Sequence, residues 1–139
     1  MLNLLGKNIM SYSVSDFIIS IKNAALARRK EVIFPRSKLN WQIAKILVEN
    51  GFLESVKEAT KDDKKALQVV IRYERRIPVI NNFEIISKPS LRIYKAKKDL
   101  LSIERRGHKT LVVSTSKGLM IGKDAYKKGL GGEVLFAVW

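Results

Sequence analysis

The period of the hydrophobic pattern changes between residues 14 and 73, and this change constrains the fold more than any other feature of the chain. Apolar residues recur at helical spacing over residues 14–28 and again between Ser37 and Gly51. Three other segments have the β-branched or alternating pattern of strands: 32–34, 52–58 and 67–73. Two amphipathic helices can cover one face of a sheet, so the first half is predicted to place two helices on three strands.

Polar residues and glycine mark where these elements begin and end. The predicted helix caps are Ser13, Ser15, Asp16 and Ser37. Gly51 is expected to close the second helix, and the polar loop Thr60–Lys65 to join the last two strands as a hairpin. Residues 1–10 lack the long apolar core and cleavage site of a signal peptide, and they are expected to form a short extension.

The pattern weakens over residues 74–90, where charged residues, prolines and an Asn-Asn pair interrupt it. A domain boundary is predicted there, giving domains at 11–80 and 81–139. Within the second domain, strands are predicted at Leu91–Tyr94, Thr110–Ser114 and Glu133–Trp139. A short helix is predicted at Lys97–Glu104 and a helical turn at Lys123–Lys128. The second domain is therefore expected to be mostly β with short helices.

The charge of the chain favours a polyanionic partner. Its 27 lysines and arginines outnumber 13 acidic residues, for a formal net charge of +14, and such a field attracts nucleic acid. A membrane is not predicted as a partner, because no apolar run approaches the roughly 20 residues that span a bilayer. The chain has no cysteine and one histidine, His108, so neither a thiolate nor a histidine cluster is available, and no metal or cofactor is predicted.

The run Ser114-Thr115-Ser116-Lys117-Gly118 directly follows a predicted strand. Hydroxyl groups donate and accept hydrogen bonds, which suits contact with bases, sugars and phosphates of RNA, while Lys117 adds charge and Gly118 permits close approach. The alternative is a turn whose hydroxyls bond to their own backbone. Ser114 and Lys117 also match a Ser-x-x-Lys acyl-transfer spacing, but the Ser-Asp-Asn and Lys-Thr-Gly elements of those enzymes are missing.

Two further segments are candidates for RNA contact. Gly129, Gly131 and Gly132 precede the last strand and allow positive φ or close approach; a tight structural turn is the alternative. Tyr94 can stack on an unpaired base or reach a sugar hydroxyl, unless it is an ordinary half-buried strand residue.

The first domain has a possible phosphate-facing patch at the end of the first helix and the start of the second. A scattered, solvated basic face is the competing interpretation. The residues of this patch are Lys22, Asn23, Arg28, Arg29, Ser37 and Lys38.

Five blocks, in order, resemble the bacterial-type family of small-subunit ribosomal protein eight. They are Ile21-Lys22-Asn23-Ala24, Pro35-x-Ser37-Lys38-Leu39, Lys88-Pro89-Ser90-Leu91-Arg92-Ile93-Tyr94, Val112 to Gly118, and Gly129 to Val134. The resemblance implies an α+β protein of two small domains that binds the central domain of small-subunit ribosomal RNA early in assembly, beside neighbouring ribosomal proteins. It implies a location on the ribosome, in the bacterial cytoplasm or an organelle, and no enzymatic activity.

The resemblance also implies which residues contact rRNA. The 114–118 run would be the main contact loop, with further contacts at Ser90, Arg92, Tyr94, Lys95, Gly131, Gly132 and Glu133. Translational repression through binding of the chain's own messenger remains an alternative role for the same surface. One departure from the family has a structural consequence: Ile121-Gly122 replaces the usual Thr-Asp helix cap, so the short helix that follows is expected to be weak at its start.

Overall fold

The chain divides into two units by its internal contacts, Met1–Asn81 and Asn82–Trp139. The computed structural model describes residues 2–139, with side chains described from residue 14 onward. Each unit has its own sheet and helices, as the sequence pattern predicts. The exact limits of functional domains, expected at 11–80 and 81–139, stay a prediction.

Unit 1 places two helices on a three-stranded antiparallel sheet, and this part of the predicted fold is confirmed. Its strand order is β1-β3-β2. A separate two-stranded ribbon, β4–β5, follows the sheet and was not predicted. The elements are α1 (Leu2–Leu26), β1 (Glu31–Pro35), α2 (Lys38–Glu49), β2 (Leu53–Lys61), β3 (Lys64–Ile71), β4 (Tyr73–Glu74) and β5 (Ile77–Pro78).

The apolar faces of both helices form the core of unit 1 with β3. Phe17 packs on Phe34 of β1 with ring centroids 5.1 Å apart, a distance at which tilted aromatic pairs are favourable. The largest fully buried aliphatic side chains of this core are Ile18, Ile21, Ile43, Leu47, Leu53, Leu67 and Val69. The helical and alternating periods seen in the sequence thus identify the residues that are buried.

Helix α1 begins at Leu2, far before the predicted start at residue 14. Ser13, Ser15 and Asp16 therefore lie inside the helix, and their prediction as caps is wrong. The side chains of the expected extension, residues 1–10, lie outside those described. Helix α2 agrees with its predicted ends: the Ser37 hydroxyl accepts the Asn40 amide at 3.0 Å, and Gly51 follows the helix with φ +80°.

The β2–β3 hairpin is tighter than predicted. Lys61 pairs with Lys64, so the turn consists only of Asp62 and Asp63, with φ 53° and 62°. Two left-handed residues in succession are typical of a type I′ turn, whose twist matches that of antiparallel strands, and aspartate tolerates this conformation. The predicted hairpin is confirmed, but the expected loop Thr60–Lys65 is too long, because its outer residues belong to the strands.

Unit 2 is a five-stranded sheet with two short helices. The strand order is β6-β10-β8-β9, and β7 also pairs with β10. The predicted strand Leu91–Tyr94 shortens to β7, and β6 and β9 were missed because three or four residues are too few to show an alternation. The elements are β6 (Phe83–Ile85), β7 (Tyr94–Lys95), α3 (Lys97–Gly107), β8 (Thr110–Thr115), β9 (Gly118–Ile121), α4 (Gly122–Lys127) and β10 (Gly132–Val138).

Glu104 of α3 supplies the capping acceptor that α4 lacks locally. The residue before α4, Ile121, makes no side-chain cap. Instead the half-buried Glu104 carboxylate accepts the amides of Gly122 and Lys123, together with that of Leu111 at 2.8 Å. A Cβ on Gly122 would lie 2.9 Å from Glu104 Cδ, so glycine admits the carboxylate. The weak helix start expected from Ile121-Gly122 is thus compensated from a neighbouring helix.

Burial raises the pKa of the Glu104 carboxyl, while the backbone amides of Leu111, Gly122 and Lys123 oppose that shift. The nearby Asp124 carboxylate raises the pKa further. The net direction is upward, because desolvation penalises the charged form. Glu104 therefore joins α3, β8 and α4 at the cost of holding a partly desolvated charge.

We predict that Glu104→Ala destabilises unit 2 strongly. Loss of the carboxylate leaves the amides of Leu111, Gly122 and Lys123 without their acceptor. A buried donor without an acceptor lowers the free energy of unfolding by about 1–3 kcal/mol. Denaturant unfolding, followed by Trp139 fluorescence in a Trp41→Phe background, measures the change. Glu104→Gln, which keeps one acceptor oxygen, should lose less; equal losses would contradict the hydrogen-bonding role.

The pH dependence of the same comparison gives a second prediction. Because the folded-state pKa of Glu104 is raised, the native state holds that proton more tightly than the unfolded state. The stabilisation from protonation is present below the ordinary carboxyl pKa and is lost as pH rises through the folded-state value. The stability of wild type relative to Glu104→Gln should therefore fall as pH rises above the ordinary glutamate pKa of about 4.3. A difference that does not change with pH would refute it.

Candidate nucleic-acid interface

Strand β10 brings three of the predicted site residues into one row. Glu133 of β10 lies opposite Tyr94 of β7 on one side and Ser114 of β8 on the other. The next residues along, Val134 and Val113, also pair and are buried in the core. Since side chains alternate between the faces of a sheet, Glu133, Tyr94 and Ser114 share the face opposite that core. Tyr94 is 67% exposed.

The β8–β9 turn carries the rest of the hydroxyl run. Thr115 pairs with Gly118, which leaves Ser116 and Lys117 exposed at the tip. The Thr115 hydroxyl donates to the Gly118 carbonyl at 2.7 Å and accepts the Lys117 amide at 3.2 Å. Thr115 therefore supports the turn itself. In the described part of the chain, the Ser114 and Ser116 hydroxyls have no hydrogen-bond partner, so both can bond to a ligand.

Arg92 orients the one acid in this surface. Its Nη1 lies 3.4 Å from Glu133 Oε2, and the Glu133 side chain is 18% exposed. The sequence left open whether Glu133 accepts from RNA or orients a lysine; in the structure its cationic neighbour is an arginine. Because the Arg92 side chain is 40% exposed, solvent screens this ion pair and it adds little stability. Its main effect is to direct one carboxylate oxygen and leave the other as an acceptor.

Ser90 and Lys95 flank this row and are exposed. Ser90 lies in a turn closed by reciprocal backbone hydrogen bonds between Lys88 and Leu91, at 2.9 and 3.0 Å. The buried Ser87 hydroxyl then accepts the Ile93 amide at 3.0 Å, which fixes the chain as it enters β7. The segment from Ser90 to Lys95 is thus anchored by backbone bonds, while its polar side chains face solvent.

Close backbone packing explains why residues 131 and 132 are glycines. The sequence suggested such a structural role only as the alternative to RNA contact. A Cβ on Gly132 would lie 2.2 Å from the Ser114 carbonyl oxygen, and one on Gly131 would lie 2.6 Å from that of Lys95. No side chain fits at these distances. The two glycines therefore allow β10 to approach β8 and the β7–α3 connection. Direct contact of either glycine with RNA stays a prediction.

The predicted patch of unit 1 is spread over several elements. Lys22 and Asn23 lie on α1, while Ser37 is occupied as the cap of α2, whose first residue is the exposed Lys38. No hydrogen bond or ion pair joins these four residues to one another within the described chain. The sequence predicted one patch with a scattered basic face as the alternative; no direct bond among these described residues decides between the two, and their roles stay a prediction.

Arg28 has a different neighbour from the one expected. Its guanidinium donates to the carbonyl of Arg76, in the turn of the β4–β5 ribbon. Arg75 and Arg76 were not predicted as site residues, because Glu74-Arg75-Arg76 was interpreted only as the interruption of a strand. Two successive arginines in a basic chain were the available signal.

The described residues hold no group of three or more potential metal-ligating side chains. Among them, no helix is both long and apolar enough to cross a bilayer. The surface formed by the Tyr94–Glu133–Ser114 row and the Ser116-Lys117 tip carries hydroxyl, carboxylate, aromatic and cationic groups. Such a surface, on a strongly basic α+β protein, is typical of the class of nucleic-acid-binding proteins.

Comparison with known proteins identifies the family. The profile of the family described as ribosomal protein S8 matches residues 12–139, and the chain belongs to this family. It is 41% identical to small ribosomal subunit protein uS8 of a Nitratiruptor species, with 91% of this chain and 96% of that protein covered. The resemblance inferred from the sequence motifs is thereby confirmed.

Two other relatives support the same assignment. The chain is 40% identical to small ribosomal subunit protein uS8 of Nitrosomonas europaea, with 93% of this chain and 98% of the relative covered. It is 40% identical to small ribosomal subunit protein uS8c of Guillardia theta, with coverages of 91% and 97%. By family, the chain is a ribosomal protein of the small subunit.

Gly132→Ala is predicted to destabilise unit 2 without any RNA present. The added Cβ must displace the Ser114 carbonyl, which lies 2.2 Å from its position, and so disturbs the β8–β10 ladder. We expect a loss of about 2 kcal/mol or more in the free energy of unfolding. Gly107→Ala is the matched control, because its Cβ would meet atoms no nearer than 3.5 Å. If both variants were equally stable, the close approach would not explain the glycine.

Proposed function

We propose that this ribosomal protein binds the central domain of small-subunit rRNA through unit 2 and thereby supports assembly of the subunit. One observation carries the proposal: Tyr94, Glu133 and Ser114 align across three strands beside the exposed Ser116-Lys117 tip. Strands hold side chains more rigidly than loops do, so these groups have defined positions before RNA arrives. The small-subunit role of the named relatives supports rRNA as the ligand.

The chemistry of the row suits folded RNA. Tyr94 exposes an aromatic face on which an unpaired base can stack. The Ser114 and Ser116 hydroxyls can donate or accept, and the Glu133 carboxylate can accept from a base amine or a ribose 2′-hydroxyl. A regular A-form helix exposes 2′-hydroxyls in its shallow minor groove, but it keeps its bases stacked and hides their major-groove edges. Stacking on Tyr94 therefore favours a junction or irregular helix as the target.

Positive charge has a separate part in the proposed mechanism. The net charge of +14 attracts phosphates whatever the sequence of the RNA, and it makes affinity sensitive to salt. The polar row then selects among RNAs through base and sugar contacts. Binding that fixes one junction would leave it in the conformation that later assembly steps need.

Ser116→Ala is expected to weaken binding to a transcript of the rRNA central domain by roughly two- to tenfold, which corresponds to one lost hydrogen bond. The slope of affinity against salt should stay unchanged, because no charge is removed. Filter binding over a salt series measures both quantities. Ser55→Ala, on an exposed position of β2, is the matched control and should bind like wild type.

Lys117→Met, unlike Ser116→Ala, is expected to change the salt dependence of binding. Loss of one phosphate contact should lower the slope of log affinity against log salt by about 0.7–0.9. Selectivity for the authentic transcript over a scrambled one should persist, since the hydroxyl and carboxylate groups remain. If wild type itself held both transcripts equally, the proposed function would be refuted. Competition with the chain's own messenger in the same assay would reveal whether that RNA is also bound.

A further inference from the structure

The β4–β5 ribbon of unit 1 has arginines in a turn that normally takes other residues. Tyr73 pairs with Pro78 and Glu74 with Ile77, so Arg75 and Arg76 alone form the turn, with φ 53° and 68°. A turn with two left-handed residues favours Asn-Gly or Asp-Gly, because a β-carbon is disfavoured in that conformation. The backbone therefore gives no reason for arginine at either position.

A third arginine in the same conformation contacts this turn. Arg28 follows α1 with φ 56°, at the position where helices usually end on glycine. Its guanidinium donates to the Arg76 carbonyl, and the Tyr73 hydroxyl donates to the Arg29 carbonyl at 2.5 Å. These two bonds fix the end of α1 against the ribbon, so Arg28, Arg29, Arg75 and Arg76 form one group, here called the arginine cluster.

Arginine is the unusual residue type among the left-handed positions. The other described non-glycine residues with positive φ are Asp62, Asp63 and His108. Aspartate and histidine are enriched in this region of backbone space, whereas arginine has no short polar group that compensates the strain. Three of the six such positions are arginine, and all three lie in one cluster. This indicates that the arginine side chains have a role there that outweighs the backbone strain.

The cluster has no acidic partner to balance its charge. All four arginines are exposed, and no carboxylate of the described residues lies within ion-pairing distance of them; the nearby Glu74 pairs with Arg72 at 3.2 Å. Residues 1–13 contain no acidic residue at all. The end of α1 favours cations through its partial negative charge, which accounts for Arg28 and Arg29 but not for the ribbon turn. Like charges on one surface repel each other, and a bound anion that attracts them offsets this repulsion.

We propose that the arginine cluster is a second RNA contact, which binds the phosphodiester backbone. The planar guanidinium fork of arginine matches two phosphate oxygens and donates two parallel hydrogen bonds to them. A convex turn with several such forks can contact successive phosphates without reading bases, so it adds affinity and orientation but little sequence selectivity. The inference rests on the proposed rRNA-binding function, since it concerns the same ligand at a different unit.

The test is a double variant that suits the turn better than the natural residues do. Arg75→Asn with Arg76→Gly gives the preferred type I′ pair and keeps the carbonyl that Arg28 contacts, so thermal stability should be unchanged or raised. Binding to a full-length small-subunit rRNA transcript should weaken severalfold, and the salt slope should fall by about 1.4–1.8 for two lost phosphate contacts. Selectivity against a scrambled transcript should change little.

The matched control removes two cations from the other type I′ hairpin. Lys61→Thr with Lys64→Thr flanks the Asp62-Asp63 turn and lowers the net charge equally. This control should keep nearly the wild-type slope of log affinity against log salt. If its slope fell as much as that of the arginine variant, overall charge alone would explain the effect, and the inference would fail. It would also fail if the arginine variant bound with wild-type affinity and slope. Loss of selectivity by wild type would instead refute the rRNA function.

A direct readout locates the ligand. The chain has no cysteine, so Ile77→Cys, at a position that is 60% exposed beside the turn, gives a single attachment point for an iron-EDTA probe. Hydroxyl radicals from this probe should cleave the bound rRNA at one discrete segment. Uniform background cleavage of the rRNA would overturn the RNA assignment. It would also be overturned if the introduced cysteine became inaccessible to the reagent only when an acidic ribosomal protein, and not the rRNA, was added.

Discussion

The close approach of β10 to its neighbours is the constraint on which unit 2 depends. Backbone oxygens of Ser114 and Lys95 occupy the space where side chains of residues 132 and 131 would begin. Only because both positions are glycine can β10 pair with β7 and β8 at once. The same pairing sets the row of Tyr94, Glu133 and Ser114. The geometry of the proposed RNA surface is therefore a consequence of main-chain packing and not of loop conformation.

Sequence reasoning succeeded where a period could be counted. The helices of unit 1 and the strand β3 span enough residues for their buried faces to be recognised. The Ser37 cap is also local, because its hydroxyl bonds to an amide only three residues further along the chain. Sequence reasoning failed where a strand is very short, or where the hydrogen-bond acceptor of an element lies far away in the sequence. Strands β6 and β9 have three and four residues, and the acceptor for α4 comes from Glu104, in the preceding helix.

The candidate site shows the same division. The residues of the row were found because their motifs resemble a known family, but the pairing that aligns them depends on a strand register that a single sequence does not display. Of the arginine cluster, Arg28 and Arg29 were expected in a phosphate-facing patch, but Arg75 and Arg76 were missed for a physical reason. Their left-handed backbone contradicts the usual preferences of arginine, so turn rules predict no hairpin there. Departures of this kind from local preference are common at functional sites.

The hydrogen bonds of Thr115 within its own turn have a thermodynamic consequence for recognition. Since this hydroxyl bridges Lys117 and Gly118 without any ligand, much of the conformational entropy of the tip is already lost when the chain folds. Little ordering of the protein should then oppose complex formation, and the entropy penalty of binding would fall mainly on the nucleic acid. In the proposed RNA binding, a rigid protein template of this kind would select one conformer from a flexible RNA ensemble.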